Sequence, residues 1–227
     1  FIRAGQEGPG GGALVVPLTA VNKEMADQVG SKMASLGELR NRLHVRVSDG
    51  FVVTADAYRR FIAHNELQAE IDRRIQATPV EHPQRLYNLS ADLQQLIIRS
   101  EIPPDLESAV TGAYETMKAA EGEDVKVAMR SSALGEDVAG TSFAGQYRSE
   151  LNVSGENIFQ AYKEIVASKY SLPAMTYRLN RGLRDEDVAM CVGCVKMVEA
   201  VSGGVAYSRN PVNIRDEAIY INSAWGL

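Results

Sequence analysis

The spacing of hydrophobic residues predicts helices in the first half of the chain and strands in the second. Apolar residues recur every three or four positions after Lys32, and again along 86–97 and 106–117, which is the repeat of a helix with one buried face. From Val125 onward, apolar residues alternate with small or polar ones, as in a strand. Because the helices come early and the strands late, without regular βαβ alternation, the pattern predicts an α+β fold.

The same pattern gives approximate bounds for the elements. Strands are predicted near residues 13–18, 51–54, 125–129, 149–153, 188–198, 204–208 and 218–222. Helices are predicted to begin near residues 33, 55, 86 and 105, and one long helix is expected from about 156 to 180. Asp105 follows two prolines, so it is the expected N-cap of the helix that it precedes.

Composition divides the chain into three parts. Residues 5–12 are mostly glycine with one proline, which is typical of a flexible connector, so residues 1–20 are predicted to be a linker from an upstream region. Residues 21–120 are predicted to form a mainly helical subdomain, and residues 121–227 a β-rich one. Since residue 1 is Phe, we expect the chain to begin inside a longer polypeptide.

Charge and hydropathy exclude several classes of partner. The 24 Lys and Arg residues against 29 Asp and Glu residues give a formal net charge of −5, so no overall positive field holds nucleic acid or an anionic membrane. No run approaches the roughly 18 to 20 apolar residues that cross a bilayer. With two cysteines and no secretory leader pattern, we expect a cytoplasmic protein. Cys191 and Cys194 lie in an apolar β-rich run, so they are predicted to be buried core residues.

Two segments carry candidate chemistry for an anion. Gly30, Ser31 and Lys32 stand at a predicted helix start, where free backbone N–H groups and a lysine favour negative charge; a serine-capped helix with a solvated lysine is the simpler alternative. Arg130 follows a predicted strand and precedes a loop rich in glycines and hydroxyls, beginning with Ser131 and Ser132. Such a loop suits a triphosphate, with an ordinary long turn as the alternative.

The loop is not a Walker A motif. Residues 135–142 follow the pattern G-x-x-x-x-G-T-S, in which Thr141 stands where the phosphate-binding lysine is required. A nucleotide site must therefore take its positive charge from elsewhere in the chain. We predict that Lys32 and Arg130 converge in space and supply it.

Eight short motifs occur in the order found in one known family. They are VGSK (29–32), ASLGE (34–38), GFVVT (50–54), RSSA (130–133), ED (136–137), SFAGQ (142–146), KMV (196–198) and SAWGL (223–227). With these motifs, the chain from about Val21 onward resembles the N-terminal nucleotide-binding domain of phosphoenolpyruvate synthase and pyruvate phosphate dikinase. The resemblance implies an ATP-grasp-like domain, incomplete at its C-terminal end.

The resemblance also implies an activity and a set of partners. Such a domain transfers phosphate from ATP to a histidine on a separate domain of the same polypeptide, which carries it to a pyruvate-binding domain. Lys32 and Arg130 match the family's phosphate-contacting residues. The implied nucleotide contacts are Lys32, Arg130, Ser131, Ser132, Gly145, Ser149 and Glu150, with Lys196, Met197 and Val198 at the adenine hinge.

Some features depart from the family pattern or lie outside this chain. Ser31, Tyr147 and Val195 stand where the family usually has glycine, glutamine and glutamine. The family's Mg²⁺ ligands follow the position of Leu227, so no metal ligand is predicted within this chain, and the fragment alone is expected to bind nucleotide weakly and not to turn it over. Three alternatives stay open: a non-catalytic nucleotide-sensing or assembly module, a relative that phosphorylates another acceptor, such as water, phosphate, a glucan or rifampicin, and a plain structural domain that does not bind ATP.

Overall fold

A computed structural model describes residues 12–78, 83–121, 125–135, 147–213 and 215–226. The helices are α1 (Ala26–Asn41), α2 (Ala55–His64), α3 (Leu67–Ala77), α4 (Pro83–Arg99), α5 (Pro104–Glu121), α6 (Ile158–Ala167) and α7 (Leu172–Arg181). The strands are β1 (Val15–Pro17), β2 (Gly50–Val53), β3 (Val127–Ala133), β4 (Ser149–Val153), β5 (Met190–Lys196), β6 (Ser202–Tyr207) and β7 (Tyr220–Trp225). The α+β prediction is confirmed, and none of the described helices combines the length and hydropathy of a membrane span.

Residues up to Met197 form one compact unit around a five-stranded sheet. The strand order is β1-β2-β5-β3-β4, and every neighbouring pair is antiparallel. The sheet takes β1 from residues 1–20, which were predicted to be a linker, β2 from the predicted helical part and the other three strands from the predicted β-rich part. Its central strand, β5, therefore lies between β2 of the helical part and β3 of the β-rich part.

Helices cover both faces of this sheet. Side chains alternate along a strand, so Met129 in β3 points to the face that packs against Leu106 and Val110 of α5 and Ile158 of α6. The other face carries α1, whose Met33 lies against Gly193 of β5. Because both faces are covered, β3 and β5 are buried along most of their length, and the polar residues Ser131 and Ser132 are buried with them.

Four details differ from the predicted elements. The single helix expected from 156 to 180 is wrong: α6 ends at Ala167, a 3-10 turn follows at Ser168–Tyr170, and the extended Ser171 precedes α7 with its proline in the first turn. The strand expected to end at Met129 continues to Ala133, so Ser131 and Ser132 are strand residues. Asp105 is not an N-cap, because α5 already begins at Pro104.

The fourth correction concerns the buried face of α1. The apolar repeat predicted that Leu39 and Leu43 are buried, but their exposed fractions are 38% and 64%. Met33, which belongs to the same repeat, is buried as predicted, and the other buried residues are Val29, Gly30, Ala34 and Gly37. The helix packs against the sheet through small or flexible residues at its start, which a count of leucines does not reveal.

Residues 198–227 form a second unit, built on the β6–β7 hairpin. Asn210 organises its connection: Nδ2 donates to Tyr220 and Asp216, and Oδ1 accepts from the backbone of Val212 and Asn213. The bond from Asn210, together with bonds from the Tyr220 hydroxyl and the Ala218 backbone N–H, holds the pKa of the Asp216 carboxyl below its ordinary value. The hairpin is therefore closed by side-chain hydrogen bonds within its own loop.

Candidate functional site

The site begins at a break in α1. Gly30 has φ +77° and ψ 159°, which are not helical and which residues with a Cβ rarely adopt. A Cβ atom at position 30 would also lie 2.7 Å from the carbonyl carbon of Ser132 and overlap its oxygen. The helix restarts at Ser31, so the predicted helix start at Gly30, Ser31 and Lys32 exists as a restart inside a longer helical segment.

Met33 fixes this restart on the sheet in two ways. Its backbone N–H donates to the hydroxyl of Ser132 at 3.2 Å, although the two residues are 99 positions apart. Its side chain fills the space above Gly193 of β5, where a Cβ atom would lie 2.8 Å from Met33 Cε. We call the contacts of Gly30 and Met33 with Ser132 and Gly193 the α1–sheet junction.

Strand register places Arg130 beside this junction. Arg130 pairs with Gly193 of β5 on one side and with Ser149 of β4 on the other. Residues two apart on a strand share a face, so Arg130 and Ser132 both lie on the face that carries α1, with Cα atoms about 6.6 Å apart. Arg130 and Lys32 are both exposed. The structure therefore brings the backbone segments that carry these two cations together.

The chemistry of this arrangement favours an anion. A helix restarts at Ser31 after the break at Gly30, and its dipole adds positive potential at this end. Lys32 and Arg130 add two full charges on flexible side chains that reach solvent. Guanidinium and ammonium groups bind phosphate oxygens through charge-assisted hydrogen bonds.

Two of the predicted nucleotide contacts lie on the other face. Ser131 alternates away from Arg130 and is buried, 3% exposed. Glu150 pairs with Met129, and its carboxylate accepts from Arg148, whose guanidinium also contacts Glu164 of α6 at 3.1 Å. The structure thus groups Ser132 and Ser149 with Arg130, but not the side chains of Ser131 and Glu150.

The predicted adenine hinge lies at the end of β5. Lys196 pairs with Val127, and its backbone N–H donates to the carbonyl of Asp49 at 2.8 Å. The next N–H, that of Met197, donates to the carbonyl of Lys126 at 2.9 Å. Val198 belongs to the second unit, and Gly145 lies outside the described residues. These backbone donors are already used within the protein.

The described residues contain no group of three or more His, Cys, Asp or Glu side chains arranged to hold a metal ion. The cysteines are free thiols buried in β5, as the sequence predicts. Burial raises the pKa of the Cys191 thiol to about 12. Cys191 shares the α1 face, where its Sγ contacts the carbonyl of Gln28 at 3.4 Å.

The sequence analysis missed a buried ionic cluster formed by Lys169, Arg178 and Asp185. The side chain of Lys169 is fully buried, and its Nζ lies 3.2 Å from Asp185 Oδ1 and 2.7 Å from the hydroxyl of Tyr58. Arg178 lies 3.7 Å from the same oxygen, and Tyr170 donates to Oδ2 at 2.9 Å. The cluster therefore ties α2 and α7 to the segment that leads into β5.

Electrostatics within this cluster keep Asp185 ionised. Burial by itself raises the pKa of its carboxyl, but the charges of Lys169 and Arg178, with the hydrogen bond from Tyr170, outweigh burial and hold the pKa below 3.8. No sequence signal pointed to the cluster, because Lys169 and Arg178 lie within the helix predicted at 156–180, whereas Asp185 follows it among other charged residues.

Comparisons with known proteins agree with the motif analysis. A family model described as pyruvate phosphate dikinase, AMP/ATP-binding domain, matches residues 26–227. Phosphoenolpyruvate synthase of Neisseria meningitidis is 37% identical over 215 residues, and that of Escherichia coli is 34% identical over 224 residues. A probable phosphoenolpyruvate synthase of Methanocaldococcus jannaschii is 38% identical over 208 residues.

These alignments cover most of this chain and a small part of each relative. They span 91%, 96% and 91% of the chain, but 27%, 28% and 17% of the Neisseria, Escherichia and Methanocaldococcus proteins. The chain therefore corresponds to about a quarter or less of the length of these curated relatives.

Proposed function

Because the chain belongs to the pyruvate phosphate dikinase AMP/ATP-binding domain family, we propose that it is the ATP-binding part of a dikinase-type phosphotransferase. In this proposal the domain is ATP-grasp-like and passes phosphate from ATP to a histidine on another domain of the same polypeptide. The phosphorylated domain then delivers the group to a pyruvate-binding domain, as in a phosphoenolpyruvate synthase.

One observation supports the nucleotide site in particular. Met33 and Ser132 are joined by a hydrogen bond although they are 99 positions apart, so the segment with Lys32 meets the strand with Arg130. Phosphoryl transfer requires positioning and neutralisation of charge more than covalent participation of the protein. We assign both tasks to Lys32 and Arg130, and the positive end of the helix that restarts at Ser31 adds a favourable potential for phosphate.

This proposal assigns no residue of the chain to Mg²⁺. ATP-dependent phosphoryl transfer uses Mg²⁺ to neutralise developing charge, but the described residues bring no set of metal ligands together. We therefore derive no step through the metal. Ser149, Lys196 and Met197 are proposed as further nucleotide contacts, and the two hinge residues would make theirs through groups other than the backbone N–H donors already bonded to Asp49 and Lys126.

Titration of the 227-residue chain with ATP tests the site. NMR spectra measure dissociation constants into the millimolar range, so they detect the weak binding that we expect of this chain alone. Removing one charge-assisted contact costs about 1.5 to 3 kcal/mol, so Lys32→Met and Arg130→Met should each weaken binding about 10- to 100-fold. Arg130→Lys should lose less, since it keeps the charge but not the planar guanidinium.

The control is Arg85→Ala, which removes an exposed arginine on α4, a helix that packs against α6 and α7. Equal ATP affinity of wild type, Lys32→Met and Arg130→Met would contradict the proposed site. Transfer is tested separately in the complete polypeptide by formation of AMP and of an acid-labile phosphohistidine. Binding without either product would favour the alternative of a nucleotide sensor.

A further inference from the structure

Ser132 is expected from the family resemblance to contact the nucleotide, yet its hydroxyl is engaged elsewhere. The residue has no exposed surface and its Oγ accepts from the Met33 backbone at 3.2 Å. This bond satisfies one of the N–H groups that a helix leaves open in its first turn. Ser132 thus caps a helix that is remote from it in sequence.

The junction holds Met33 from two sides. Ser132 binds the backbone of Met33, and the missing side chain of Gly193 leaves space for the Met33 thioether. Gly30 allows the chain to pass directly against the carbonyl of Ser132. Lys32 is the residue immediately before Met33, and Arg130 lies two residues before Ser132 on the same strand face. One set of contacts therefore fixes the spacing between the two cations.

We propose that Ser132 is a positioning residue, whose hydroxyl holds the start of the 31–41 helix on β3 and so keeps Lys32 in register with Arg130 for a shared polyphosphate. This inference rests on the proposed ATP site and assigns Ser132 a part in it without contact with the nucleotide. Two charged side chains contact the same polyphosphate only when the distance between them fits the distance between its phosphates. Displacing such a group by about 1 Å strongly weakens its effect.

Ser132→Ala removes the cap and leaves the Met33 N–H without an acceptor. Loss of a helix cap corresponds to roughly a 2- to 30-fold change in the local opening equilibrium, so amide exchange at Met33 should accelerate by that factor. The ATP dissociation constant of the 227-residue chain should rise about fivefold or more. Ser132→Thr keeps a capping hydroxyl and should restore both values toward wild type.

The matched control is Ser90→Ala. Ser90 is also buried, and its hydroxyl donates to the backbone carbonyl of Tyr170 at 2.6 Å, in a part of the helical layer away from the junction. We expect this variant to lose global stability without changing ATP affinity or Met33 exchange. A rise in its ATP dissociation constant equal to that of Ser132→Ala would mean that the effect comes from lower stability alone.

A second variant separates positioning from direct contact. Gly193→Ala places a Cβ against the Met33 side chain and leaves the Ser132 hydroxyl in place. If Ser132 acts through Met33, Gly193→Ala should also weaken ATP binding, and the double variant should lose less than the sum of the two losses. If Ser132 contacts the nucleotide itself, Gly193→Ala should bind ATP like wild type, which would overturn the inference.

Two results distinguish failure of this inference from failure of the proposed function. If the wild-type chain shows no ATP binding, the proposed ATP site is wrong and the positioning role falls with it. If wild type binds ATP and Ser132→Ala binds it equally well, only the positioning role is wrong. Faster Met33 exchange with unchanged ATP affinity would leave Ser132 as a helix cap with no part in the site.

Discussion

Replacing Asp185 with alanine provides a demanding test of the helical layer that supports β5. The Asp185 carboxylate is the group that both buried cations face, at 3.2 Å from Lys169 and 3.7 Å from Arg178. It also accepts from the hydroxyl of Tyr170. The substitution therefore leaves two buried positive charges without this partner.

The loss in the free energy of unfolding follows from the burial of the charges that Asp185 contacts. Removing one member of a buried ion pair costs about 3 to 5 kcal/mol, because the remaining charge stays desolvated. Lys169 keeps two acceptors, the hydroxyl of Tyr58 and the backbone carbonyl of residue 185, so we expect a value near the lower end of that range. Domains of this size are stable by only about 5 to 15 kcal/mol, so the loss is a large fraction of the total.

Chemical denaturation with linear extrapolation measures this loss. Asp187→Ala is the control, because Asp187 makes an exposed ion pair with Arg184 two residues away from the cluster, and exposed pairs contribute little. We expect little change from Asp187→Ala and a large change from Asp185→Ala. A loss below about 1 kcal/mol for Asp185→Ala, or equal losses for the two variants, would refute the reasoning.

The pH dependence gives an independent measurement. The pKa of Asp185 in the folded protein is lower than its ordinary value of 3.8, so the stability from its ionised form is present above that value and is lost as the pH falls through the folded pKa. The free energy of unfolding of wild type should therefore exceed that of Asp185→Asn by its full amount at neutral pH, and this difference should become smaller only below about pH 4. A difference that already narrows near neutral pH would show that another group is responsible.

Three further substitutions or probes test other parts of the structure. Tyr162 has a buried hydroxyl with no hydrogen-bond partner in the described region, so Tyr162→Phe should stabilise the protein by about 1 kcal/mol in denaturant melts, whereas Tyr170→Phe should destabilise it. Gly30→Ala should cost several times the roughly 1 kcal/mol expected for Gly182→Ala, because both have positive φ but only Gly30 lacks space for a Cβ; equal losses would contradict the close approach. Cys191 should react with a thiol reagent at pH 8 only at the rate of unfolding, since burial raises its pKa to about 12.

Several features followed from local sequence patterns. The repeats of apolar residues located α4 and α5, because each of these helices packs one stripe against a common core. The β-rich runs located β2, β4 and β5, because β-branched and aromatic residues favour strands locally. Ordered motifs identified the family, which the family model then matched over residues 26–227.

Other features depended on contacts between distant residues. The break of the expected long helix at Ser168–Tyr170 accompanies the burial of Lys169, whose partner Asp185 is known only once the chain is folded. The extension of β3 through Ser132 requires the facing strand β5, which supplies a ladder of hydrogen bonds that no local propensity indicates. Serine has no strong preference for a strand, so tertiary pairing decided its conformation.

By itself, the sequence determined the α+β class, the family and the identity of two candidate cations, since these depend on composition, periodicity and residue order. Tertiary structure alone decided that Lys32 and Arg130 share a region, through the contact of Met33 with Ser132 across 99 positions. It also decided that Ser132 serves as a helix cap. The physical reason is that burial and hydrogen-bond partners belong to the packed arrangement of elements, and a residue's own neighbours along the chain do not specify them.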